Sequence, residues 1–281
     1  MRNPFAISTT IVFLALAAFS AARAAPLEFH NNRLFVAVTI NGVKAEALLD
    51  SAAEMTFVDS NLAARLKLLP EGAETAKGSG GETQVQFAKG VNIEAAGVKL
   101  PDLTVALLDM ADLSKRVVAK DLQIILGREF FDAGRVRIDI QGRTIEKMES
   151  AIEPKGIRLP LMSARGIESF PCIVEGVATH ADIDLGNGNE VLIGRAFAEA
   201  HGLLAPGRVV ERKSGGGIGG SVDRDIVVLK SLEIAGTRIA NVRAAIDPQP
   251  SAGEVNVGTS ILRRFILVID FPAHAVWVRE R

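Results

Sequence analysis

The residues best placed to do chemistry in this chain are two acids. The stretch Ala47-Leu48-Leu49-Asp50-Ser51-Ala52-Ala53-Glu54 runs an apolar strand into a carboxylate, a hydroxyl and small residues. Desolvation disfavours a charged carboxylate at the end of a buried strand, so an acid there is either paired or used. The chain presents the pattern a second time, at Ala181-Asp182-Ile183-Asp184-Leu185-Gly186-Asn187. His180, Asp182 and Asp184 alternate along a strand and share one face, which could begin a metal site. No comparable histidine accompanies Asp50, and the match to the first stretch accounts for Asp184 without a metal. Gly186-Asn187-Gly188-Asn189 follows an acid and lacks the Lys-Ser/Thr of a phosphate loop. The single cysteine, Cys172, sits in the strand-like run Phe170 to Val174 and reads as a buried thiol.

The elements that must position these acids read mostly as strands. Leu34 to Ile40 and Val43 to Leu49 are β-rich runs joined at Asn41-Gly42, a hairpin signal, and the second run delivers Asp50. Met55 to Val58 read as a strand, and Ser60 is expected to cap a short helix over Asn61 to Leu66. Lys77-Gly78-Ser79-Gly80-Gly81-Glu82 reads as a glycine-rich hairpin tip. Val91 to Leu108 supply two strands. An apolar strand then ends at Gly127, a short helix follows, and Val136 to Ile140 with Thr144-Ile145 close the unit.

The same order of events recurs after Pro154 to Pro160, which reads as a linker. Phe170 to Val174, the turn Glu175-Gly176 and Ala181 to Asp184 match the first hairpin. Val191 to Ile193 and a helix over Arg195 to His201 follow, then the glycine-rich Gly215 to Gly220. Val255-Asn256-Val257-Gly258 matches Ile124-Ile125-Leu126-Gly127, and Asp270 matches Asp139, both acids reading as turn or cap acceptors. Two lobes of similar, mostly β fold follow, over residues 28–153 and 161–281, each large enough for its own core.

Composition bounds the rest. The 281 residues are 48% hydrophobic and 23% charged, which is globular, and the net charge of −1 offers no field to attract nucleic acid or an anionic membrane. Residues 1–25 carry a signal-peptide pattern: Arg2, a short apolar run from Ile11 to Ala18, and Ala22-Arg23-Ala24 as the cleavage site. The mature chain is thus expected to be exported, periplasmic or secreted, without stable membrane insertion. One thiol allows no internal disulfide.

The motif Leu48-Leu49-Asp50-Ser51-Ala52-Ala53, the glycine-rich hairpin and Ile125-Leu126-Gly127-Arg128 together resemble the retropepsin-like aspartic proteases. The second half resembles the same unit more weakly, so the chain is similar to exported bacterial members that fuse two such repeats. The resemblance implies a bilobal pepsin/retropepsin-like fold with two β-barrel-like lobes. It implies an endopeptidase in which Asp50 and Asp184 share one proton and activate a water. Ser51, Ala52, Gly186 and Asn187 would support the two loops, with Ser51 bonding across the lobes. Leu185 departs from the family, having no hydroxyl. Gly78, Ser79, Gly80 and Gly81 with Gly215, Gly216 and Gly217 would form two substrate-covering flaps. Glu54 and Arg128 would pair and, with Gly127 and Gly258, brace the site. No cofactor or metal is implied. The partner would be a peptide or unfolded protein, held by a monomer with pseudo-twofold symmetry. A relative that keeps the cleft for binding without cleaving is the alternative, and Leu185 is the feature that bears on it.

Overall fold

A computed structural model describes residues 24–164 and 166–281. The expected signal peptide lies almost wholly outside them. Among the described residues, strands dominate and form one thirteen-stranded and one eight-stranded sheet with a few short helices. This is the expected mostly-β, two-lobed architecture.

The hairpins form where turn chemistry asks for them. Asn41 and Gly42 both hold positive φ, 47° and 79°, as do Glu175 and Gly176, 48° and 88°. Two such residues in succession match the twist of the flanking strands. The strands delivering the acids, Val43–Leu49 and Val177–Ile183, are each zipped antiparallel to the preceding strand, Arg33–Ile40 and Ile167–Val174. On its other side, Val43–Leu49 runs parallel to Ile124–Leu126, and Val177–Ile183 runs parallel to Val255–Val257. Each acid therefore emerges from a strand flanked on both sides. The Asp50 N–H donates to Leu126 O at 3.0 Å and the Asp184 N–H to Val257 O at 3.1 Å.

Two long hairpins extend from the lobes: Glu71–Gly78 with Gly81–Ala95, and Val209–Gly217 with Gly220–Ile234. Beneath the site the lobes merge. Val136–Asp139 of the first lobe pairs antiparallel with Phe265–Asp270 of the second. One hydrophobic core runs through both lobes, and Phe131 meets Phe271 across the junction with ring centroids 5.4 Å apart.

Three expectations need correction. The first helix spans Ser60–Arg65 and is capped by Asp59, whose carboxylate accepts from Asn61 N and Leu62 N. Asp59 displaces Ser60 because its second oxygen also reaches Met110 N, tying the helix to the core. The strand expected from Met55 is shorter, Phe57–Asp59, because Thr56 is drawn into the loop after Asp50. The expected linker is partly strand: Ile157–Pro160 pairs with Ala275–Glu280 and edges the shared sheet. Asp139 and Asp270 behave as turn acceptors, taking N–H bonds from Gly142 and Ala273.

Candidate active site

The two acid-bearing loops face each other between the lobes. Asp50 Oδ1 accepts the N–H groups of Ala52 and Ala53, both at 3.0 Å. Asp184 Oδ1 accepts the N–H of Asn187 at 2.9 Å. Small residues after each acid let the backbone fold back to make these bonds. Gly186 packs directly on the carboxyl group of Asp50, and a Cβ there would collide with it. That close approach, rather than conformational freedom, explains the glycine.

Ser51 is buried and stitches the lobes together. Its Oγ accepts the N–H of Leu185 at 3.0 Å and donates to Ile183 O at 2.7 Å. The reciprocal hydroxyl is missing because Leu185 occupies its place and joins the apolar core. Between the acid loops the hydroxyl grip thus comes from Ser51, while the second lobe reaches across nearby through the Thr259 hydroxyl, which donates to Asn32 O.

The strand-end glycines are required by contact. A Cβ on Gly127 would strike the Met55 backbone, and one on Gly258 would strike Asn187 O. The following N–H groups, of Arg128 and Thr259, donate at 2.9 Å to Ala53 O and Asn187 O. The expected Glu54–Arg128 pair is not formed. Arg128 opens a helix, and its guanidinium is taken by Asp132 one turn on, at 2.9 Å, and by Glu168 of the second lobe. Glu54 is exposed and lies against Gly166. Glu129 braces the loop instead: its carboxylate accepts from both the N–H and the hydroxyl of Thr56, which in turn accepts from Gly127 N.

Two residues near the acids were not anticipated from the sequence. Asn256 donates from Nδ2 to Asp184 Oδ2 at 2.8 Å, and its Oδ1 accepts from Asn187 Nδ2 at 2.9 Å. Its signal is a lone amide inside Val255–Val257, where the first lobe has Ile125. Arg33 is buried, with its Nη1 on Asn31 O and against Gly188. Burial lowers its proton affinity, and the nearby charges of Asp184 and Asp50 oppose that.

The electrostatics of the pair are unequal. Burial and then the charge of Asp184 push the Asp50 carboxyl up to about 7, against the pull of its two backbone donors. Burial also raises Asp184, but the Asn256 amide and the N–H groups of Asn187 and Gly186 hold its charged form. One proton on Asp50 and a charge on Asp184 is the arrangement these contacts favour.

The hairpin tips of the two lobes touch each other. Gly80 N donates to Ile218 O at 2.9 Å, and Cβ atoms on Gly80 or Gly219 would collide with the opposite tip. The tips cross backbone to backbone, which only glycine allows. Arg116 Nη2 holds Gly217 O at 2.9 Å, and Arg224 Nη2 holds Ser79 O at 2.7 Å. Cys172 is buried, and burial pushes its thiol up to about 12, far from a reactive thiolate.

Residues 36–130 match the family model described as aspartyl protease. That match covers most of the first lobe. A crystal structure of a retropepsin-like aspartic protease from Rickettsia conorii is 18% identical, with a TM-score of 0.35, over 43% of this chain and 88% of that one. No curated protein matches. The family match takes in Asp50, the first glycine-rich hairpin tip and the Gly127-Arg128 turn. Among the described residues no helix is long and apolar enough to cross a membrane, and no His, Cys, Asp and Glu side chains cluster as a metal site.

Proposed function

We propose that this chain is an aspartic endopeptidase, exported to the periplasm or beyond, that hydrolyses extended peptides between its lobes. The observation that carries this reading is the juxtaposition of two strand-end acids, with Gly186 of one loop lying on the carboxyl of the other. Asp184, charged and held by Asn256, takes a proton from a water that attacks the peptide carbonyl. Asp50, protonated, gives its proton to the carbonyl oxygen; Asp184 then passes the proton taken from water to the leaving nitrogen as the C–N bond breaks, and Asp50 recovers its own as the carboxyl product forms. The closed hairpins exclude bulk water and offer backbone groups to an extended substrate.

The test is hydrolysis of an unfolded protein by the mature chain. Pepstatin-sensitive cleavage is expected, lost by roughly a thousandfold or more in Asp50→Asn and in Asp184→Asn. Activity should persist up to about pH 7, where Asp50 releases its proton, and fall above it. Absence of cleavage from acid to neutral pH would overturn the reading. Stability should follow the same group. The folded chain holds the Asp50 proton up to about 7, while the unfolded chain releases it near 3.8. Stability from this source is therefore fully present below 3.8 and lost as pH rises towards 7. A Tm series across that range should flatten in Asp50→Asn.

A further inference from the structure

The strands flanking the two acids differ in chemistry between the lobes, position for position. In the first lobe, Phe35, Leu48 and Ile125 lie side by side across three strands, Phe35 opposite Leu48 and Leu48 opposite Ile125. In the second lobe the same pairings join Ser169 to Asp182 and Asp182 to Asn256. The difference continues up the flap hairpins. Val85 and Leu108 of the first lobe correspond, in the register of strands Gly81–Ala95 with Val98–Leu108 and of Gly220–Ile234 with Thr237–Asp247, to Arg224 and Asp247.

Both rows run from an acid to a flap. The apolar row packs with Ala53 and Met55 of the Asp50 loop and with Ile218 at the tip of the opposite flap. The polar row begins at Asn256, on Asp184, and ends at Arg224, whose guanidinium reaches Ser79 O at the other flap tip. Arg224 and Asp247 are buried, paired at 3.1 Å, and Gly215 leaves the space that the guanidinium fills. Replacing an apolar pair by a buried ion pair gains little stability, since desolvation offsets the Coulombic attraction. The buried Nε of Arg224 also has no hydrogen-bond partner among the described residues. A buried unmet donor costs free energy until something accepts from it.

We propose that Arg224, set by Asp247, is a specificity-determining residue: the side chain flanking the scissile bond on the second lobe carries a carboxamide or carboxylate oxygen, and the one on the first lobe is apolar. This rests on the endopeptidase reading above. An oxygen acceptor satisfies Nε without displacing Asp247, whereas an apolar side chain leaves the donor buried and a lysine competes with it.

The test is a set of peptides whose two central residues are Leu, Gln, Glu or Lys in every combination, with cleavage sites mapped by mass spectrometry. Each peptide is also made with a reduced, non-hydrolysable central bond, and its binding is measured by fluorescence anisotropy. Peptides pairing Leu with Gln or Glu should be preferred by about tenfold over Leu-Leu and over any with Lys. Arg224→Val with Asp247→Leu, the residues of the first lobe, should reverse the order in favour of Leu-Leu. Equal or better use of Leu-Leu or of Lys by the unaltered chain overturns the proposal, whether or not the double variant folds. Selective binding without cleavage supports the proposal and sinks the endopeptidase reading. Cleavage without selectivity does the opposite.

Discussion

The two lobes solve one positioning problem with different materials. In the first, the acid loop is braced by a charged group, Glu129, acting through Thr56, and the wall beside it is hydrocarbon. In the second, the loop is braced by amides: Asn187 bonds Glu190 O and Asn256, and Asn256 bonds the acid itself. The hydroxyl that grips the opposite acid loop is Ser51 of the first lobe, whereas the second lobe's Thr259 hydroxyl reaches Asn32 O instead. The backbone scaffold tolerates this because the shared contacts are main-chain ones: the strand end, the glycine collision and the N–H donated to the loop are the same on both sides. What differs is each acid's environment. A symmetric pair would have to break its own symmetry to place one proton. Here Asn256 and Ile125 break it in advance, holding the charge on one side and denying a donor to the other.

That comparison can be broken at several points. The largest effect is expected from Ser51→Ala, which strands the Leu185 N–H and the Ile183 carbonyl at the lobe junction. Stability in urea denaturation should fall by about 2–4 kcal/mol, and Ser51→Thr should retain most of it. A negligible loss would mean that the floor and core hold the lobes without the grip. Next comes Asn256→Ile, which gives the second lobe the residue of the first. The charged form of Asp184 loses its side-chain donor, so the acid limb of the pH–rate profile should move to higher pH. The rate below that limb should drop about ten- to a hundredfold. An unmoved limb would reduce Asn256 to a structural part. The smallest effect is expected from Arg116→Ala, which releases Gly217 O from one flap. KM should rise about twofold to fivefold with kcat unchanged, since one exposed-side hydrogen bond is worth about 0.5–1 kcal/mol.

The acids, the hairpins and the flap tips were legible in the sequence because each rests on a local rule. An acid ending an apolar strand, Asn-Gly between β-rich runs and a glycine cluster all state their conformation within a few residues. The brace was not legible. Arg128 was expected to reach Glu54, but as the first residue of a helix it meets Asp132 one turn later, and Glu129 points the other way onto Thr56. Linker residues 157–160 became strand because a partner, Ala275–Glu280, stands ready far along the chain. Arg33 and Arg224 carry no local sign of their role, since each also meets the opposite lobe, Arg33 against Gly188 and Arg224 on Ser79 O. Asn256 did carry one: a polar residue alone between two valines at a strand end.

The floor beneath the site has a consequence in time. Val136–Asp139 cannot complete its sheet until Phe265–Asp270 arrives from the far end of the second lobe, and Ile157–Pro160 waits for Ala275–Glu280. Pairings of such sequence separation form slowly, because the loop they close costs entropy before the contacts repay it. The floor joining the two lobes is therefore expected among the slower parts of the fold to form. The frame that holds Asp50 facing Asp184 is completed by the last strands of the chain.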